Sequence, residues 1–535
     1  MSAPTVPQSH ADSPPAVSAA PGFQQKLGLF DATMLVAGTM IGSGIFIVSA
    51  DIARDVGSSG WLLSIWLLTG VMTVMGALCY AELGAMMPHA GGQYVFLRDA
   101  FSPLWGFLYG WAVFLVIQTG SIAAVGVGFA KFLGVLVPGL GTDHIIYEVN
   151  DLNVSLSFPL PWMNEPLVFF ERHSFTISAG QVVASVVVAV LSVIKCFGVE
   201  AGKWVQNVFT SAKTLGLVLL IAVGLTLAAD ADAIQANWNN LWDGIHQSER
   251  FINTARIVPL GDFTVALMVA GGAMVGALFA ADAWNNVTFI AAELKDPRKV
   301  LPRCLVLGTV LVIALYILAN VAYLVALPVQ GSVDGVTPFA QGIAHARDDR
   351  VGTAVLELVS PGLGVPLMAI AIMVSTFGCV NGMAQMGARL YWAMARDSLF
   401  FQSVGRLNRR GVPAAGLILQ GIWSIALIFS GTYSELLDYV IFAALFFYVL
   451  TVVGLFVLRW KQPRAERPYR VWGYPLVPAV YVILCALIML DLLIVRPVYT
   501  WPGLAIVLSG IPVYFLWRFF GSRTSASSAP GPSTV

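Results

Sequence analysis

Three glycines and a serine, in GTMIGSGIF at residues 38–46, interrupt an apolar run where a membrane helix would be most regular. In hydrocarbon an unpaired backbone N–H or C=O costs several kcal/mol, so an unwound stretch survives only where it lines a protein-enclosed or watery cavity. Around Met40, Ile41, Gly42, Ser43 and Gly44, freed amides at the start of a second half-helix could hold a carboxylate, and freed carbonyls could take an ammonium. A zwitterion, an amino acid, suits both. The competing reading is close helix packing, since Gly38 and Gly42 also form a small-xxx-small pair.

A second run, MVGALFAADAWNNVTFIAAELKDPRKVLPR, again places small residues at its middle and a charged turn after it. Asp282 sits in that break. An ionised carboxylate facing lipid is expensive, so Asp282 should face a cavity and a partner: a substrate ammonium, a structural cation, a helix end needing a cap, or a proton. Phe279, just before the break, and Trp284, just after it, could close over a substrate, or be ordinary lipid-facing or core aromatics. Lys213 is the only basic residue deep in a span, ten residues past Lys203 and so about 15 Å further along a helix. It could exchange a proton, act as a fixed internal cation where another transporter places sodium, or cap the carbonyls of a broken helix. In VSTFGCVNGMAQMGARLYWAMARDSLF, Ser375 is the polar residue assigned to the site.

These residues need a bundle of long apolar helices to position them. The 535 residues are 58% hydrophobic and only 11% charged, with mean hydropathy +0.79, which marks a polytopic membrane protein. Runs of the length needed to cross a bilayer recur near 28–50, 59–87, 102–130, 176–196, 204–229, 262–292, 304–327, 359–395, 413–430, 435–459, 474–492 and 498–519. The fold expected is an all-α membrane protein of twelve transmembrane helices. Two broken spans in corresponding positions suggest a five-plus-five inverted repeat with helices 1 and 6 broken, repeat one at about 28–229 and repeat two at about 262–459. Helices 11 and 12, at about 474–519, stand outside it. The transporter domain spans 23–520, between Pro-, Ala- and Ser-rich tails at 1–22 and 521–535 that are expected to be disordered.

With both termini in the cytoplasm, 20 of the 29 Lys and Arg fall on the inner side and 8 on the outer, with Lys213 inside a span. The positive-inside rule therefore gives a multi-pass protein of the cell (plasma or inner) membrane, its basic inner loops touching lipid headgroups. Zero net charge and no basic stripe with interleaved aromatics argue against nucleic acid. No metal site is expected, because five cysteines without CxxC spacing and six scattered histidines form no ligand set. No cofactor is expected either: a Walker-type GxxxxGK[ST] is absent, and no nucleophile, base and oxyanion cluster points to an enzyme.

The motifs GTMIGSGIF, PHAGGQYVFLRDAFSPLWGFLYGW, FAADAWNNVTFIAAELKDPRKVLP and GARLYWAMARDSLF, in that order, resemble signatures of the amino acid, polyamine and organocation transporter superfamily. Within it the chain is similar to the L-type amino acid transporter group and its prokaryotic relatives. The resemblance implies alternating access, with the substrate carboxylate on amides around Ser43 and Gly44 and its amino group at carbonyls near Met40, Phe279 and Ala280. It also implies that Phe279 is the occluding aromatic and that Trp284 with Asn285 is the pair following the break. Lys213, in VQNVFTSAKTLGL, matches the fifth-helix lysine of sodium-independent members, with Ser375 beside it. The departures are AAELKDP after helix 6, with Glu293 as its one acid of an expected pair, Ala283 where glycine is common, and Ala281 where larger side chains occur. Residues 131–175 lack the cysteine that eukaryotic light chains use to reach a heavy chain, so no disulfide-linked heavy chain is expected.

The leading expectation is a secondary amino acid transporter, working by sodium-independent exchange or proton coupling. A polyamine or cationic amine transporter is the alternative, since Asp282 could hold a second positive group. A non-transporting amino acid sensor would be expected to carry a substantial cytoplasmic module, which the short tails do not offer.

Overall fold

A computed structural model describes residues 23–158, 167–258, 261–430, 433–495 and 497–526. The expected tail at 1–22 lies outside them, as do residues 527–535; residues 521–526 continue the last helix. The main helices are α1 (Leu29–Met40), α2 (Gly44–Val56), α3 (Ser59–Met86), α4 (Gln93–Ala100), α5 (Pro103–Leu136), α6 (Ala179–Lys195), α7 (Val199–Thr226) and α8 (Asp262–Ala280). A 3-10 helix, Trp284–Glu293, then leads to α9 (Pro297–Ala326), α10 (Gly364–Arg396), α11 (Ala414–Ile428), α12 (Tyr433–Lys461), α13 (Leu476–Val495) and α14 (Pro497–Ala526). Shorter helices such as Ala231–Asn239 and Glu249–Ile257 lie in the connections.

Among the described residues nine helices are long and apolar enough to cross a bilayer, or ten when α1 and α2, bent by 40°, count as one span. Each of the twelve expected runs holds a helix, but α6 and α11 have only 17 and 15 residues. At 1.5 Å per residue that is about 25 Å and about 22 Å, short of a core about 30 Å thick. The sequence reading missed one element altogether. The connection after α5 contains an antiparallel hairpin, β1 (Ile145–Phe158) with β2 (Leu167–Ser178), and the span expected from 176 starts at Ala179, where Ser178 caps α6. Both strands are rich in Val, Ile, Leu and Phe interleaved with polar residues, the pattern of a two-faced strand.

Helix contacts follow the inverted repeat. Taking α1/α2, α3, α5, α6 and α7 as one half, and α8 with its 3-10 continuation, α9, α10, α11 and α12 as the other, exchanging halves turns one contacting pair into another. α1 packs on α9 as α3 does on α8; α1 packs on α7 as α8 does on α12; α3–α9, α5–α10 and α6–α11 map onto themselves. Outside the repeat, α13 packs on α12, α8 and α3, and α14 on α12 and α5.

Polar contacts seal the end of the bundle that carries Glu293. The Lys26 and Leu27 amides donate to Glu293 O, Lys295 N donates to Leu27 O, and Arg389 Nε donates to Glu293 Oε1 at 2.7 Å. Arg98 pairs with Asp397, which also accepts from Tyr94 OH at 2.7 Å, and Arg459 grips Glu82 through two nitrogens. Only 1–2% of the Glu293 and Arg389 side chains is exposed, so neither charge can fall back on water. Truncating one partner of such a pair leaves the other buried and unpaired; Arg389→Ala is expected to cost about 3–5 kcal/mol. Thermal unfolding of the detergent-purified variant checks this, and an unchanged melting temperature would refute it.

Candidate functional site

α1 stops at Met40 because Ile41, at φ −73° and ψ 92°, is extended, and helical geometry returns at Ser43 (φ −82°, ψ −19°). α2 opens at Gly44 with Ser43 at its N-cap position, whose side chain does not cap the helix amides, so the first amides point into the gap. Side chains from other helices meet the five orphaned carbonyls. Lys213 Nζ donates to Gly38 O and, at 2.8 Å, to Ile41 O; it also lies 3.4 Å from Ser375 O. Cys379 Sγ donates to Thr39 O, Tyr316 OH to Met40 O at 2.9 Å, and Ser375 Oγ reaches Ile41 O and Gly42 O at 2.9 and 3.2 Å. A buried break in hydrocarbon is tenable because this accounting closes. Close packing is also present, at Gly38, where a Cβ would fall 2.1 Å from Gln206 and 2.4 Å from Thr210 of α7. The one motif thus both breaks the helix and packs it closely, and Gly38 takes part in each.

The second break is tighter. α8 ends at Ala280, Asp282 N donates to Phe279 O at 3.1 Å, and Ala283 takes φ +66°, in the left-handed region, at roughly 1 kcal/mol for a residue with a Cβ. The chain resumes as a 3-10 helix where a second α half-helix had been expected. Two side chains tie the breaks together. Thr39 Oγ1 reaches Ala283 O at 3.2 Å, and Tyr316 OH lies 2.9 Å from Met40 O and 3.1 Å from Ala280 O. Gly44 and Ala280 touch directly: a Cβ on Gly44 would lie 2.7 Å from that of Ala280.

Between the breaks lies a space of about 350 Å³, lined by Met40, Gly42, Ser43, Gly44, Phe279, Ala280 and Asp282 among others. Seven of the ten residues assigned to substrate binding from sequence therefore converge on one cavity. Met40, Ser43, Ala280 and Asp282 are all buried, and Phe279 is half-buried at its wall. Ile41 turns away and offers its carbonyl to Lys213 and Ser375, which sit behind the break and not in the cavity. Trp284 lies in a neighbouring space of about 340 Å³ with Thr73 and Tyr481, edge-on to Tyr80 at 4.8 Å. Asn285 lines a third, of about 320 Å³, with Tyr109 and Gln118. Asp282 borders all three.

The sequence reading missed Tyr316, Cys379, Tyr448 and Gln93. Tyr448 OH bonds Asp282 Oδ1, and Gln93 Oε1 accepts from Asn285 Nδ2 at 2.9 Å. Cys379 had a readable signal, since it follows Ser375 by four residues and so shares its helix face. Tyr316 and Tyr448 had none: an aromatic inside an apolar run looks the same whether its hydroxyl reaches a carbonyl or a headgroup.

Comparison with known proteins places the chain in a family. A family profile described as "Amino acid permease" matches residues 27–516. The large neutral amino acids transporter small subunit 2 of Rattus norvegicus is 30% identical across 95% of this chain and 85% of its own length. The b(0,+)-type amino acid transporter 1 of Homo sapiens is 29% identical over 92% of this chain and 88% of its own length, and the Asc-type amino acid transporter 1 of Mus musculus 28% over 94% and 82%. With two facing helix breaks and a profile match over nearly its whole length, this chain belongs to the amino acid permease family of membrane transporters.

Proposed function

We propose that the chain is a sodium-independent secondary transporter of L-amino acids that works by alternating access. The observation that carries this reading is the buried cavity between the breaks, with uncapped amides of α2 on one wall and carbonyls of α1 and α8 on the other. In it the substrate carboxylate meets the amides around Ser43 and Gly44, and the amino group meets the carbonyls of Met40, Phe279 and Ala280. Carbonyl oxygens carry two lone pairs and the Tyr316 hydroxyl has one hydrogen between Met40 O and Ala280 O, so both carbonyls can still accept an ammonium hydrogen. Phe279 closes over the solute. Lys213, held on the Gly38 and Ile41 carbonyls with Ser375, supplies the fixed positive charge that a bound sodium ion would supply elsewhere. The seal around Glu293 and, at the other end, Arg54 with Asp51 and Asp349 open in turn.

The orientation with both termini in the cytoplasm of a cell membrane follows from the lysine and arginine bias. One relative is named a small subunit; in this chain, residues 131–175 offer no cysteine for a disulfide tether, so any companion subunit would be held there without one. A cationic substrate is the second reading, favoured by Asp282, a buried carboxylate with no ion-pair partner among the described residues. Competition separates them. Inhibition of exchange in liposomes should fall at least about 100-fold when an amino acid is replaced by its decarboxylated amine, because both contacts of the carboxylate are lost. Equal inhibition by the amine favours the cationic reading.

A further inference from the structure

We propose that Asp282 is a proton-binding site of the carrier, loaded while the cavity is empty and vacated when a cationic side chain of the substrate comes within ion-pair reach. This rests on the transport reading above and adds a proton to its cycle.

Asp282 is 8% exposed and borders all three cavities at the second break. No Lys, Arg or His lines any of them. The titratable groups that face it are Tyr80 of α3, Tyr109 of α5, Cys379 of α10, Tyr448 of α12, and Tyr481 and Cys485 of α13, all neutral in their ordinary state. An ionised carboxylate would be buried there with no countercharge, which is the costly arrangement. A proton removes the cost, and so does a cation.

The hydrogen-bond directions agree. Tyr448 OH has one hydrogen and two acceptors in reach, Asp282 Oδ1 and, at 3.3 Å, Asn285 Oδ1. Asn285 Nδ2 donates to Gln93 Oε1 at 2.9 Å, Gln93 Nε2 donates to Thr451 Oγ1 at 2.9 Å, and Thr451 donates to Phe447 O at 2.7 Å. Every donor from Asn285 onward points away from Asp282 and ends on a backbone carbonyl. With a hydrogen of its own, Asp282 donates to Tyr448, which is then released to donate to Asn285, and the series has no gap. Without it, one hydrogen must serve two oxygens.

The exchange balances. The O–H bond of the carboxyl breaks, the proton passes to water on whichever side the cavity is open, and the arriving cation takes its place against the carboxylate. One proton leaves for each positive side chain bound. A zwitterion with a neutral side chain is held by the backbone groups of the two breaks and leaves the proton on Asp282.

The test uses the full-length carrier in liposomes, with L-lysine and L-leucine as probes, at symmetric pH from about 5.5 to about 8.5. The KM for L-lysine should fall about tenfold per pH unit while the proton competes and then level off, and that for L-leucine should stay within about twofold. An external pH dye should report protons released as L-lysine enters. Asp282→Asn should abolish the L-lysine slope, with size-exclusion and melting profiles showing that it is folded. The wild-type slope and the dye decide the matter even where that variant does not fold. A flat L-lysine KM, no L-lysine transport at any pH, no proton release, or a slope that survives in Asp282→Asn each overturns the proposal. Failure of L-leucine exchange as well would instead remove the transport reading.

Discussion

Lys213→Met is expected to lower amino acid exchange at least about 100-fold while leaving the protein folded. Methionine fills a similar volume but takes away the donors on the Gly38 and Ile41 carbonyls. Ile41 O retains Ser375 Oγ, whereas Gly38 O is left buried with no other side-chain donor among the described residues. A hydrogen bond from a charged group contributes about 1.5–3 kcal/mol, so two of them amount to roughly 3–6 kcal/mol, more than enough to let the break rewind or reorient. Part of that loss falls on stability and part on the geometry of the α2 amides. Exchange in liposomes and thermal melting measure the two parts separately. Near-normal exchange by Lys213→Met would show that the lysine does not hold the break in its working shape.

Gly44→Val tests the contact between the breaks. A Cβ at Gly44 would fall 2.7 Å from the Ala280 Cβ and 3.1 Å from its Cα, and the latter is backbone that cannot swing aside. The branched side chain must push α2 from α8, widening the cavity at the position where the proposed binding mode holds the substrate's two charged groups. Overpacking of this kind costs about 1–3 kcal/mol, and misplacement of binding groups by about 1 Å can cost about 100-fold in rate. Exchange should fall by about that factor, with expression and helical content retained. The pair also predicts a rescue: Gly44→Ala with Ala280→Gly moves the methyl group across the contact, and should recover most of what Gly44→Ala alone loses. A double variant no better than the single one would mean the damage lies in the conformation of Gly44 and not in its contact with Ala280.

Much of this arrangement was legible in the chain itself. Small-residue clusters in two long apolar runs, with Gly42 and Gly44 in the first and Asp282 in the second, mark both breaks, because an unwound stretch survives in hydrocarbon only where it lines a cavity. Lys213 and Asp282 stand out because a charge at that depth must have a protein partner. The partners did not stand out. Tyr316 and Tyr448 are single hydroxyls in apolar helices, and which carbonyl or carboxylate they reach depends on crossing angles that no local pattern encodes. Asn285 and Trp284 follow the break by one or two residues, yet the 3-10 winding there turns them into neighbouring cavities, away from the space between the breaks. The hairpin after α5 leaves no span-length signal, because strands of about a dozen residues with mixed polarity average out over a window long enough to cross a bilayer. Short helices α6 and α11 show the converse: apolar enough to be read as spans, they are 17 and 15 residues long.

The account stands on one arrangement, a small zwitterion clasped by the peptide groups of two interrupted helices. A high-resolution cryo-EM map of the carrier with its best-competing amino acid measures this most directly. The substrate carboxylate should lie within hydrogen-bond distance of the Ser43 and Gly44 amides, and its amino group within that distance of the Met40, Phe279 or Ala280 carbonyls, with both segments still unwound. Density for the ligand away from residues 40–44 and 279–282, or unbroken helices through either segment, would contradict it.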